Sequence, residues 1–218
     1  MGARVPQPQQ NLFYFFPVTF SGQATAVDGS RLTPKALERR ERIVEAAIEL
    51  GTEGGYEAVH MRVVAERAGV ALATVYRYFQ SKDHLLSAAV TRWMAQLQER
   101  LARSPARGDM PVERLVDVLR RASRAVERRP LFTAALIRAL ASPDVGVAEA
   151  AADVRSRISA IVTPILDHLP PDDVEGIVSV IGHVWNSSIM NWANGRTPIS
   201  AIGDELENAA RLLLAGRS

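Results

Sequence analysis

Residues Tyr56 to Leu86 read YEAVHMRVVAERAGVALATVYRYFQSKDHLL, and the order of apolar, small and polar residues in this stretch decides the fold. Val64, Ala65 and Ala68 share one face at helical spacing, which predicts a short helix over 61–68. Gly69 follows, and glycine reverses a chain sharply because it has no Cβ to clash in the left-handed region. Val70, Val75 and Phe79 then supply the apolar face of a second short helix, over about 72–79. Two short amphipathic helices joined by a glycine turn make a helix-turn-helix. In such a unit the first helix crosses the DNA backbone and the second lays its N-terminal residues on base edges in the major groove.

The outward residues suit that task. No acidic residue lies between Ala68 and Gln80, so phosphates would meet no repulsion there. Thr74, Tyr76, Arg77, Tyr78 and Lys82 can all donate to phosphate oxygens. Ala71, Leu72 and Ala73 are small or apolar at the helix start and suit contact with thymine methyls. Two tyrosines beside a phenylalanine, taken alone, read equally well as core packing. The spacing of the whole set is what favours DNA.

Working outward, Thr33-Pro34 predicts a helix start: a capping hydroxyl, then proline at the first helical position. Ile43, Ala46, Ala47 and Leu50 form the apolar stripe of that helix, and Gly54-Gly55 ends it. Ser81 caps the next helix, 82–102, with His84 where a full capping box would carry glutamate. Residues 105–108 read as a linker, and Pro111 opens a helix to 127. Further helices are predicted over 131–141, 144–168, 172–194 and 199–215, with no strand alternation and no internal repeat. The expectation is an all-α protein of about nine helices. Residues 34–80 form a three-helix DNA-binding domain and 81–218 a helical bundle for ligand binding and dimerisation. Residues 1–33 are Pro/Gln/Gly/Ser-rich and non-periodic, and read as a disordered extension or a start assigned too far upstream. Within them Leu12 to Phe20 faintly imitates a secretion signal, interrupted by Pro17 and preceded by the single Arg4.

Composition sets the limits. A 47% hydrophobic, 23% charged chain is ordinary for a folded protein, and the low aromatic share of 6% favours helices over sheets. With 26 basic against 24 acidic residues the net charge is +2, so any case for nucleic acid rests on where charges sit. There is no cysteine, which removes disulfides and thiolate chemistry. No apolar run reaches the ~20 residues that span a bilayer. His60, His84, His168 and His183 are scattered, and no Ser/His/Asp set or carboxylate pair converges in the sequence. The expectation is a cytoplasmic protein with no catalytic residues, metal or cofactor.

The same stretch resembles the DNA-binding domain of the TetR family. The resemblance lies in GYEAV, R-x-x-A-x-x-A-G-V from Arg62, T-x-Y-x-x-F from Thr74 and S-K-x-x-L from Ser81, and covers about residues 36–86. It implies that Thr74, Tyr76, Tyr78 and Lys82 hold phosphates, and that Ala71, Leu72, Ala73 and Arg77 contact bases or the groove. Arg62 stands where the family often has a basic residue opening its second helix. Val59-His60 departs from the family's usual threonines, which leaves the cap of that helix to His60 or to nothing. The resemblance implies a homodimer on a palindromic operator, with half-sites about one DNA turn or a multiple apart, released by a small effector. A ligand-independent DNA-binding protein or an activator is the alternative.

In the C-terminal half, Ile177, Ile181, Val184, Trp185, Ser188 and Trp192 form a stripe at steps of three and four. It reads either as bundle core or dimer interface, or as the wall of an effector pocket. For the second reading the candidate ligand-binding residues are Met94, Leu97, Phe132, Leu136, Ile181, Trp185, Ser188, Ile189 and Trp192, with His183, Asn186, Ser187 and Asn191 as possible polar contacts. Leu206, Ala209, Ala210, Leu213 and Leu214 predict an interface helix. RRPLFTAALIRAL, HVWNSSIMNWANGR and ENAARLLLAG also resemble the KstR-type repressors of steroid catabolism in actinobacteria. That likeness implies a bulky hydrophobic effector, such as a steroid or acyl-CoA derivative.

Overall fold

The computed structural model describes residues 33–142 and 145–217. The expected extension and its signal-like run lie outside the described residues. Among the described residues there are nine α-helices and one 3-10 turn, and no strand.

Helix α1 (Pro34–Ala58) starts where its sequence says it should. Thr33 Oγ1 accepts from the Ala36 amide at 3.3 Å, and Pro34 sits in the first turn. Gly55, at φ 68°, breaks the helix, and one further turn carries the chain to Ala58. Helix α2 (Met61–Ala68) closes on Gly69 in the left-handed conformation, φ 64° and ψ 42°. His60 takes the backbone position of the α2 cap, but its side chain makes no capping bond, so the usual threonine is not replaced. Helix α3 spans Leu72–Tyr78, one residue short of the expected 79. Helix α4 (Lys82–Ala102) is capped by Ser81, whose Oγ accepts from the His84 amide at 2.9 Å.

Helices α5 (Pro111–Glu127), α6 (Pro130–Leu140) and α8 (Pro171–Ala193) each open on proline. A first-turn N–H has no partner within its helix, so proline's lack of one costs nothing there. Helix α7 (Val145–Val162) is shorter than the predicted 144–168. Pro164 cannot donate to the α ladder, and the chain tightens into a 3-10 turn over Thr163–Ile165. Helix α9 spans Ala201–Leu213.

One apolar core runs through both halves of the chain, from Ile43 and Ala47 of α1 to Leu206 and Ala210 of α9. Helix α6 packs against α1 and against α4, α5, α7 and α8 of the bundle. Phe132 is fully buried against Gly51 of α1, where an added Cβ would stand 2.8 Å from the phenylalanine ring. At its other end Arg138 pairs with Glu57. The block α1–α3 is thereby fastened to the bundle through α6 as well as through α4.

Helix α9 divides the residues expected at an interface. Leu206 and Ala210 have no exposed surface and Leu214 only 6%, because α9 packs against α5 and α8 of its own chain. Ala209 and Leu213 stay half-buried, and Leu212 beside them is 69% exposed.

Candidate nucleic-acid interface and effector site

Two buried side chains anchor α3. Val75 and Phe79 have no exposed surface and join Val64, Ala65 and Ala68 of α2 in the core. The His84 ring meets Phe79 edge-on at 5.5 Å, and the Arg40 guanidinium lies 5.1 Å from the centre of the same ring. Helix α2 is in turn held to α1 by Arg67, which donates to both carboxylate oxygens of Glu53 at 2.8 and 3.0 Å and to Glu49 at 3.3 Å. These paired donations hold the Glu53 carboxyl below its usual range.

With the inner face fixed, the opposite face points outward. Ala71, Leu72, Ala73, Tyr76 and Arg77 are exposed, and Thr74, Tyr78 and Lys82 are half-buried. Tyr76 keeps 50% of its surface exposed and Leu72 40%, large areas for side chains of this kind to leave outside a core. The Arg77 guanidinium lies 5.2 Å from the Tyr78 ring centre. Arg62, exposed at the start of α2, pairs with Glu66 at 3.2 Å. An exposed pair of this kind is weak enough for a phosphate to compete with it.

Lys82 has a second engagement. Its ammonium lies 3.7 Å from the centre of the Tyr56 ring, and the Arg138 guanidinium lies 3.9 Å from the same centre. The Tyr56 hydroxyl donates to Asp83 Oδ1 at 2.8 Å. Burial lowers the Lys82 pKa, and burial followed by the bond to Asp83 raises that of Tyr56. Three elements meet here: the end of α1, the start of α4 and the end of α6. The roles of Tyr56, Arg67, Asp83 and Arg138 were not anticipated from the sequence, because each depends on a partner 14 or more residues away.

The nine expected effector residues are spread over three helices. Met94 and Leu97 of α4, Phe132 and Leu136 of α6, and Ile181, Ser188 and Ile189 of α8 are buried, while Trp185 and Trp192 are half-buried. Phe132 lies in the α1–α6 seam against Gly51. The Ser188 hydroxyl lies within hydrogen-bond reach of the Val184 carbonyl, at 2.8 Å, and of the Glu205 carboxylate of α9. Of the nine, Leu97 alone lines a cavity of about 430 Å³ between α4 and α5. A second cavity, of about 410 Å³, lies among α1, α4 and α7 and contains none of them.

Comparison with known proteins identifies the architecture. Residues 43–89 match the bacterial regulatory proteins of the tetR family, and residues 108–213 match the tetracyclin repressor-like C-terminal domain. The HTH-type transcriptional repressor KstR of Mycobacterium tuberculosis is 38% identical over 178 residues, 81% of this chain and 81% of that protein. The chain belongs to the TetR family. As a TetR-family protein it is a DNA-binding transcriptional regulator and not an enzyme. A TetR transcriptional regulator from Rhodococcus sp. RHA1 shares the fold with a TM-score of 0.72 at 31% identity, over 84% of this chain and 98% of that one. The Thermus thermophilus repressor FadR, solved in complex with lauroyl-CoA, aligns with a TM-score of 0.65 at 27% identity, over 82% and 95% of the two chains. Among the described residues no helix is long and apolar enough to cross a membrane.

Proposed function

We propose that this TetR-family regulator is a homodimeric repressor that binds a palindromic operator through α3 and is released by a hydrophobic acyl-CoA or steroid-CoA effector. The observation that carries the DNA reading is the outward face of α3, exposed and free of acidic residues from Gly69 to Phe79. In it Thr74, Tyr76, Arg77, Tyr78 and Lys82 serve as phosphate donors, Ala71, Leu72 and Ala73 face the groove, and Arg62 meets the backbone from α2. Residues 34–80 are the reading head and 81–218 the dimerisation and effector domain.

The dimer face lies on α8 and α9. Leu212 and Val180, 69% and 42% exposed, are apolar surface left uncovered among the described residues. The effector class is supported by the similarity to KstR and by the lauroyl-CoA held by the related FadR. Met94, Leu97, Leu136, Ile181, Trp185, Ser188, Ile189 and Trp192, with Phe132 at the α1 seam, line its apolar portion.

Gel shift of the protein on its own promoter, with and without lauroyl-CoA and a steroid-CoA thioester, tests this reading. Specific binding abolished by either thioester is the expected result. Specific binding indifferent to both would discard the effector class and keep the regulator.

A further inference from the structure

The cavity between α4 and α5 has an unusual lining. Six arginines converge on it: Arg100 from α4, Arg107 from the linker, Arg121 and Arg124 from α5, Arg128 at its C-terminal cap and Arg129 just beyond. Arg121, Arg124 and Arg128 stand at steps of three and four, on one face of the helix and its cap. Among the described residues of the lining a single carboxylate, Asp117, lies with them. It is already used, accepting from Arg121 at 3.3 Å and from the Arg107 amide at 3.2 Å. Arg121 also donates to the Ser104 carbonyl at 2.8 Å. The side chains of Arg100, Arg107, Arg124, Arg128 and Arg129 have no ion-pair partner among the described residues. The other cavity makes the contrast. Its Arg92 pairs with Glu41 and its Arg157 with Asp153, so its charges are answered from within the chain.

Gathering like charges around one hollow is unfavourable unless a counter-charge is supplied. Guanidinium groups match phosphate oxygens with two parallel hydrogen bonds and are weakly hydrated, so a ring of them selects a multiply phosphorylated ligand. The floor of the hollow is apolar. Trp93, Leu97 and Leu101 are each less than a tenth exposed and form its α4 side. About 430 Å³ falls within the range of small-molecule sites.

We infer that the arginine-lined cavity between α4 and α5 binds the phosphate groups of the coenzyme A portion of the effector. The inference rests on the effector reading above for the identity of the carrier, and on the cavity itself for the anion chemistry. Arg124 and Arg128, both exposed, reach for the phosphates. Leu97, the one residue shared with the expected apolar site, marks where the acyl portion turns inward between the helices.

The test is calorimetric titration of the full chain with free coenzyme A, repeated on Arg124→Ala/Arg128→Ala, with Arg196→Ala as a control for lost charge elsewhere. Circular dichroism melting confirms that each variant folds, and Arg124→Lys/Arg128→Lys, which keeps the charges and loses the planar forks, serves as a second variant. Coenzyme A binding to the wild type, weakened at least tenfold in the alanine variant and unchanged in the control, is expected. Equal binding to wild type and alanine variant would overturn the site, as would no binding to either. ATP displacing coenzyme A at equal affinity would assign the cavity to free nucleotides and overturn the carrier assignment. Operator release separates the two readings. Lauroyl-CoA releasing wild type and alanine variant at the same concentration would leave the effector reading standing without this subsite. Arginine-dependent coenzyme A binding, with no thioester able to release the operator, would keep the subsite and remove the effector reading. Operator affinity lost in the alanine variant, with coenzyme A binding intact, would give these arginines to DNA and overturn the proposal.

Discussion

The ammonium of Lys82 lies 3.7 Å from the centre of the Tyr56 ring, so a lysine expected on DNA phosphate also closes the joint between α1 and α4. Tyr56→Phe removes only the hydroxyl bond to Asp83 and should cost ~1 kcal/mol. Tyr56→Ala also removes the platform under Lys82 and Arg138, and each cation–π contact adds ~0.5–1 kcal/mol at a partly exposed site. Urea unfolding of the two variants measures the difference. If Tyr56→Ala unfolds at the same midpoint as Tyr56→Phe, the ring is not a structural platform.

Operator binding should separate charged from neutral donors on α3. Arg77→Ala should weaken binding and make the dependence of log K on log salt shallower by about 0.9 per protomer, about 1.8 for the dimer, as two phosphates keep their counterions. Tyr76→Phe should weaken binding by ~1 kcal/mol and leave that slope unchanged, since a neutral hydroxyl releases no counterion. Lys82→Ala is the less informative variant, because it disturbs the Tyr56 joint as well. Fluorescence anisotropy at several salt concentrations reads both numbers, and a slope unmoved by Arg77→Ala would take Arg77 off the phosphates.

Gly51→Ala should destabilise the protein by ~1–3 kcal/mol, the usual range for overpacking, because its methyl would stand 2.8 Å from Phe132. Gly69→Ala meets no neighbour within 4 Å but keeps a positive φ, so its cost is conformational alone, ~1 kcal/mol. Thermal melts of the two should rank in that order, and the reverse ranking would place the α1–α6 seam among the pliable parts of the fold.

Glu207 of α9 accepts from Arg211 at 2.9 Å and pairs with Arg120 of α5. These two guanidiniums hold its carboxyl below the usual carboxylate range. A carboxyl with a depressed folded-state pKa adds stability above its unfolded value and loses it as pH falls through the folded one. Wild type should therefore lose stability on acidification below about pH 4.5 by more than Glu207→Gln does. Being near the surface, the contribution is ~1 kcal/mol or less. Parallel melting curves of wild type and Glu207→Gln at every pH would dismiss it.

Leu212→Glu should shift the protein from dimer to monomer and abolish operator binding with it, since two linked α3 helices are needed to read two half-sites. Sedimentation velocity checks the first effect and gel shift the second. A dimer that persists would move the interface elsewhere on α8.

The helix-turn-helix was legible because its signals are local. Thr33, Gly69 and Ser81 act on backbone within three or four residues, and each sits where its chemistry placed it. The inward set Val64, Ala65, Ala68, Val75 and Phe79 followed from spacing alone. What spacing does not carry is the identity of the covering element. Leu206, Ala210 and Leu214 announced an apolar face, and nothing local said that α5 and α8 of the same chain would cover it. The arginines of α4 and α5 were invisible for the same reason. On each helix they read as a solvated charged side, and only the packing of the two helices brings them around one hollow.

The contact between Gly51 and Phe132 has a consequence for the history of this chain. The two positions are not free to drift separately. A residue larger than glycine at 51 overpacks the seam while Phe132 stands, and a smaller residue at 132 relieves that clash but leaves a void when it comes alone. Change through this seam is therefore coupled, each substitution costing less in the presence of the other. A mutational scan on a Phe132→Leu background should find substitutions of Gly51 that cost less stability than they do in the parent sequence.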